Sequence, residues 1–149
     1  MKQLHTEVLI EASPEQVWAV LTDFARYSEW NPFLVRAAGV PDQGQRLSVR
    51  LAPPGGRQIT IKPVLTDVTT ARVLEWWGHL GVRGIFDGRH RFELHPAGTG
   101  TRLVQSETFT GALVPLFARS LDRGTAAGFA LMNAALKARV EHEHADSAG

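Results

Sequence analysis

Two residues suited to proton transfer, His90 and Glu107, fall where alternation turns them away from water. Each sits in a run of two-residue period. Along Phe86–Leu94, residues Phe86, Gly88, His90, Phe92 and Leu94 share one side, and Arg89, Arg91 and Glu93 the other. In the run ending at Thr110, placing Arg102 in water turns Leu103, Gln105, Glu107 and Phe109 inward. An imidazole exchanges protons near neutral pH, and a carboxylate on an apolar wall accepts or returns one. The two can therefore work as acid and base on a bound molecule. The alternative is a quieter role. Buried polar groups need partners, so the pair can bond to each other or to Gln105 and set the polarity of a ligand pocket. The residues favour this second role.

Other constellations carry less chemistry. His142 and His144 stand two apart near the end of the chain with no third ligand in view, so no metal site is expected. Cysteine is absent, which excludes disulfides, a thiolate nucleophile and thiolate metal sites. There is no phosphate-cradling glycine loop, no GxSxG elbow and no HExxH, and no cofactor is expected. Arg83, Arg89, Arg91 and Arg102 form a basic group on the outer face, diluted by Glu75 and Glu93, and read as solvated. Sixteen Lys and Arg face fifteen Asp and Glu, a net charge of +1, so no broad field favours nucleic acid or an anionic membrane. The longest apolar run, Ala112–Ala118, is far short of the roughly 20 residues that span a bilayer, so no stable membrane insertion is expected. Polar residues fill Met1–Glu7, where a secretory leader would be apolar. With no cysteine, a cytoplasmic location is expected.

The elements that must position His90 and Glu107 follow from the changes of period. The chain has 149 residues, 44% hydrophobic and 21% charged, which fits one folded domain, taken as residues 1–144 with a frayed tail over 145–149. Thr6–Glu11 alternates as a first strand. Ser13-Pro14-Glu15-Gln16 is a capping box with proline at the first helical position, opening a short helix with Val17, Val20, Leu21 and Phe24 on one face. A further short helix ends at Asn31-Pro32. From Phe33 to Thr110 the period is two, broken at Pro53-Pro54-Gly55-Gly56, Pro63, Gly81–Gly84 and Pro96–Gly100. Turns this short cannot make parallel crossovers, so the sheet is antiparallel. From roughly Pro115 to Glu141 the period is helical, with Phe117, Leu121, Thr125, Gly128, Met132, Ala135 and Leu136 in one stripe. The expected architecture is α+β: one curled antiparallel sheet of about seven strands, two short helices and a long C-terminal helix over a cavity. The cavity follows from shape, because a straight helix laid in a curled sheet does not fill it.

Ile10–Trp18 followed by Trp30-Asn31-Pro32-Phe33 resembles the start of the START-like helix-grip superfamily, which includes Bet v 1-type plant proteins, polyketide cyclases and dehydratases, and lipid-transfer domains. Leu74-Glu75-Trp76, Gly88–Leu94 and Gly100–Glu107 are similar to its bacterial single-domain members. The resemblance spans nearly the whole chain. It implies the helix-grip fold and diverse hydrophobic ligands, and brings no universal catalytic triad. The expected pocket residues are Trp30, Phe33, Leu74, Trp76, His90, Phe92, Gln105, Glu107 and Phe109, with Gly128 and Met132 from the long helix. Gly124 and Gly128 each weaken that helix by about 1 kcal/mol relative to alanine, so each marks either a close approach to the sheet or room kept for ligand.

Three functions compete. The first is a carrier or sensor of a small hydrophobic molecule (lipid, polyketide-like or aromatic). The second is a cyclase- or dehydratase-like enzyme using His90 and Glu107 as acid and base. The third is a protein-interaction module, which a large exposed apolar patch would favour.

Overall fold

Ser13 opens the first helix from both directions. Its hydroxyl accepts the Gln16 N–H at 3.2 Å, and the Gln16 side-chain oxygen accepts the Ser13 N–H at 2.8 Å. With Pro14 presetting φ at the first position, α1 (Pro14–Leu21) starts abruptly and buries Val17, Val20 and Leu21. A 3-10 turn over Phe24–Arg26 leads to α2 (Tyr27–Trp30). Asn31 then stops the helix: its Oδ1 accepts the N–H groups of Phe33 and Leu34 at 3.0 and 2.9 Å. That turn fixes the Phe33 backbone and launches the next strand.

The structure, a computed structural model, describes residues 1–148. Its strands are β1 (Lys2–Ile10), β2 (Leu34–Ala38), β3 (Ser48–Leu51), β4 (Ile59–Ile61), β5 (Val64–Thr69), β6 (Val73–His79), β7 (Asp87–Ala97) and β8 (Gly100–Thr110). All pairings are antiparallel. They form a five-stranded sheet, ordered β1-β8-β7-β6-β5, and a three-stranded sheet, β2-β3-β4. Eight strands thus replace the about seven expected, and the single sheet is divided. Pro63 is the reason: it has no N–H to donate and separates β4 from β5. The curved wall continues across the division. Leu47 N–H donates to Pro63 O and Leu65 N–H to Gln45 O, each at 2.8 Å, beside a bridge between Arg46 and Val64.

The C-terminal helix also departs from expectation. It is not uninterrupted but runs as α3 (Val114–Ser120), a π-turn over Leu121–Thr125, and α4 (Ala126–Ala148). The Ala126 N–H reaches back five residues to Leu121 O, and Gly124, a poor helix former, lies inside that turn. The helix continues past Glu141 through the residues expected to fray, as far as Ala148; Gly149 lies outside the described residues. Among the described residues no helix is long and apolar enough to cross a membrane.

The core lies between α4 and the five-stranded sheet. Phe129, Met132, Leu136 and Val140 meet Leu74, Phe92, Leu94 and Leu103, all at most 3% exposed. Burial of each such side chain stabilises the fold by roughly 1.5–3 kcal/mol. Polar contacts set the helix's angle. Gln105 Nε2 donates to Asn133 Oδ1 at 2.6 Å, Lys137 Nζ to Leu9 O at 2.8 Å, and Glu11 N–H to Glu141 at 2.8 Å. The Glu11 N–H first and Lys137 second hold the Glu141 carboxyl below its ordinary range.

Candidate functional site

Register builds the site. Trp76, His90 and Glu107 stand side by side across β6, β7 and β8 on the concave face, with Leu4 of β1 next in the row. One row along lie Gly78, Gly88 and Phe109; one row the other way lie Leu74, Phe92 and Gln105. The glycine row has no side chains on two of its strands. There a cavity of about 400 Å³ opens between the sheets and the helical segment. That size is within the usual range for small-molecule sites.

His90 is 3% exposed and enclosed by rings. Trp76 stacks on it at 5.0 Å and 18°, Phe92 lies at 4.6 Å, and Phe129 presents an edge at 5.0 Å. Its Nδ1 is 2.7 Å from Glu107 Oε2. A carboxylate oxygen accepts, so Nδ1 carries the proton in this contact, and Nε2 is left as an acceptor. Nε2 is shut off from solvent and has no partner among the described residues. An orphaned acceptor is less costly than an orphaned N–H, which agrees with that tautomer. The other carboxylate oxygen, Oε1, takes no hydrogen bond among the described residues and lies over Gly88. A Cβ there would come within 2.6 Å of it. Gly88 therefore makes the space that Glu107 occupies.

Of the residues expected in the pocket, Phe33, Trp76, His90, Glu107 and Phe109 line this cavity. Leu74, Phe92, Gln105 and Met132 do not: the first three are fully buried under α4 and Met132 on that helix's own inner side, where the helix closes on the sheet. Gln105 spends its amide on Asn133. Trp30 is also outside, its ring edge-on to Tyr27 at 5.2 Å. Gly128 is a close approach rather than free room, since a Cβ would meet the Phe33 ring at 2.4 Å. The physical reason is common to all six. Strand parity and helical spacing say which side a residue faces, not whether another element has closed over it.

Sequence reasoning missed the opposite wall and the mouth. Leu51, Ile59 and Ile61 come from the three-stranded sheet, Leu80 and Ile85 from the β6–β7 loop, and Leu113 and Phe117 from the start of the helical segment. The signal that could have found the space is the pair of strand glycines, Gly78 and Gly88, which mark close approach of another group. Leu80, Ile85, Leu113 and Phe117 are between 39% and 43% exposed, so the cavity's apolar lining continues onto its rim.

Outside the sheet, charges are matched. Glu75 accepts hydrogen bonds from Thr66, Arg89 and Arg91 at 2.8–2.9 Å. Burial alone would raise its pKa. The three donors and the nearby Arg89 charge outweigh burial and hold the carboxyl below its ordinary range. Arg102 pairs with Glu7, and Arg83 lies over the Trp77 ring at 5.0 Å. His144 hydrogen-bonds Gln16, and His142 lies beside Asp146, so the two histidines are engaged separately.

Residues 1–141 match the family model described as polyketide cyclase / dehydrase and lipid transport. Among solved structures, protein MLL2253 from Mesorhizobium loti is similar with a TM-score of 0.74 at 20% identity, over 95% of this chain and 98% of that one. Protein Ms6760 from Mycobacterium smegmatis gives 0.72 at 16%, over 91% and 88%. Ara h 8.0201 gives 0.64 at 14%, over 93% and 97%. These likenesses establish the helix-grip fold. No curated protein sequence matches the chain significantly.

Proposed function

The chain belongs to the polyketide cyclase / dehydrase and lipid transport family, and from that premise we propose that it binds a small hydrophobic molecule in its cavity, as a carrier or sensor. One observation carries this reading over an enzymatic one. The cavity is walled largely by apolar side chains, and in the His90–Glu107 pair the free imidazole nitrogen is shut off from solvent among neighbouring rings. The imidazole therefore cannot itself remove a proton from a ligand, and the Glu107 carboxylate on the wall suits a hydrogen bond to one, so the apolar walls favour binding. The apolar rim is continuous with the lining and reads as an entrance rather than as a separate partner surface. Its proposed setting is the cytoplasm, as one helix-grip domain.

Native mass spectrometry of the purified protein tests the proposal directly: a co-purified small apolar molecule is expected. With that compound in hand, His90→Ala and Glu107→Gln separate the two readings. A binding role changes affinity by about 1–3 kcal/mol, the scale of a buried polar contact. Turnover that falls about 100-fold or more in both variants, with affinity intact, would replace the carrier with a cyclase- or dehydratase-like enzyme.

A further inference from the structure

We infer, resting on the cavity-binding reading, that the ligand enters with a hydrogen-bond donor, a hydroxyl or an amine, at its leading end, and that the site refuses molecules bearing a carboxylate there. The cavity ends inward at the row of Trp76, His90 and Glu107, beyond which α4 closes the core. At that end Glu107 Oε1 takes no hydrogen bond among the described residues. Its partner oxygen is held by His90 Nδ1 at 2.7 Å, which fixes the carboxylate in place. Gly88 makes the room that Oε1 occupies, and the Glu107 side chain keeps 16% of its surface exposed on the cavity wall.

A carboxylate oxygen only accepts, so its complement is an N–H or O–H. No lysine or arginine lines the cavity among the described residues, and of its two histidines His90 is already bonded to Glu107 while His79 is exposed at the end of β6, so an anion driven to this end meets the Glu107 carboxylate with no lysine or arginine beside it. Specificity of this kind comes as much from the group refused as from the group accepted. The rest of the wall, with the Trp76 ring on one side and Phe109 on another, suits a flat apolar body behind the donor.

Three probes of one ring system test this: naphthalene, 2-naphthol and 2-naphthoate, titrated calorimetrically into the protein. The expected order is 2-naphthol tightest, naphthalene next and 2-naphthoate weakest, with at least about tenfold between the first and the last. In Glu107→Gln, which keeps shape and removes the charge, 2-naphthoate is expected to rise to the affinity of naphthalene. Equal or tighter binding of 2-naphthoate by the unaltered protein overturns the inference, as does unchanged discrimination in a folded Glu107→Gln. The unaltered protein carries the test alone if that variant does not fold. Binding of all three with no preference overturns only this inference. Binding of none of them overturns the cavity-binding reading as well.

Discussion

Two glycines in the C-terminal helical segment should respond in opposite directions to the same substitution. Gly124 and Gly128 are one helical turn apart, and alanine at either removes about 1 kcal/mol of unfavourable backbone entropy from the helix. At Gly124 a Cβ would meet Pro54 O at 3.6 Å and Pro53 Cβ at 3.7 Å, ordinary contact distances. Gly124→Ala is therefore expected to stabilise by up to about 1 kcal/mol. At Gly128 a Cβ would lie 2.4 Å from Phe33 Cδ1 and 2.6 Å from Cε1. Asn31 anchors the Phe33 backbone, and its ring sits against Phe129 at 5.6 Å, so the ring must leave its place or the helix must lift. Overpacking of this kind costs about 1–3 kcal/mol, which outweighs the helical gain and leaves a net loss of up to about 2 kcal/mol. Urea titration and thermal melting read both; at about 2–4 °C per kcal/mol for a chain this size, the two melting points move apart measurably. Phe33→Leu in the Gly128→Ala background should recover part of the loss. Stabilisation by Gly128→Ala equal to that by Gly124→Ala would refute the seating of the helix on Phe33.

Three further outcomes are expected from the same geometry. Glu75 has a lowered folded-state pKa, so its ion cluster contributes stability that is full above the ordinary glutamate value of about 4.3 and is lost as pH falls below it; Glu75→Gln should flatten that acid limb of the stability curve measured by urea titration. Asn133→Ala strands the buried Gln105 amide and should cost about 1–3 kcal/mol by the same assay, while Gln105→Met with Asn133→Leu should recover most of it; a double variant as unstable as Asn133→Ala alone would contradict the assignment. Of the tryptophans, Trp76 lines the cavity, so a ligand-induced change in intrinsic fluorescence should disappear in Trp76→Phe and persist in Trp18→Phe.

How far the sequence reaches into this structure depends on the kind of information each segment carries. The Ser13–Gln16 box forms as its spacing dictates, because capping is local. Alternation along Phe86–Leu94 and Thr101–Thr110 carries the side each residue faces, and the register sets His90 beside Glu107 as it does. Depth is not local. Leu74 and Trp76 have the same parity on one strand, yet one is under α4 and the other on a cavity wall. The role of Gly128 is decided by Phe33, a residue nearly a hundred positions away whose place only the folded chain supplies. The second wall, from Leu51, Ile59 and Ile61, and the π-turn at Leu121–Thr125 depend on contacts between segments far apart in the chain, and no period in the sequence encodes them.

The π-turn divides the C-terminal segment into two parts whose side chains are out of phase. One residue more than an ordinary turn rotates α3 by about 100° relative to α4. Phe117 accordingly leaves the line of Met132 and Leu136 and stands at the cavity rim, edge-on to Phe86 at 5.8 Å. The turn is an indexing joint: loss or gain of a single residue within it swings a new side of α3 over the entrance while every strand stays in register. A change in length alone therefore exchanges the residues at the doorway and leaves the sheet and its His90–Glu107 pair untouched.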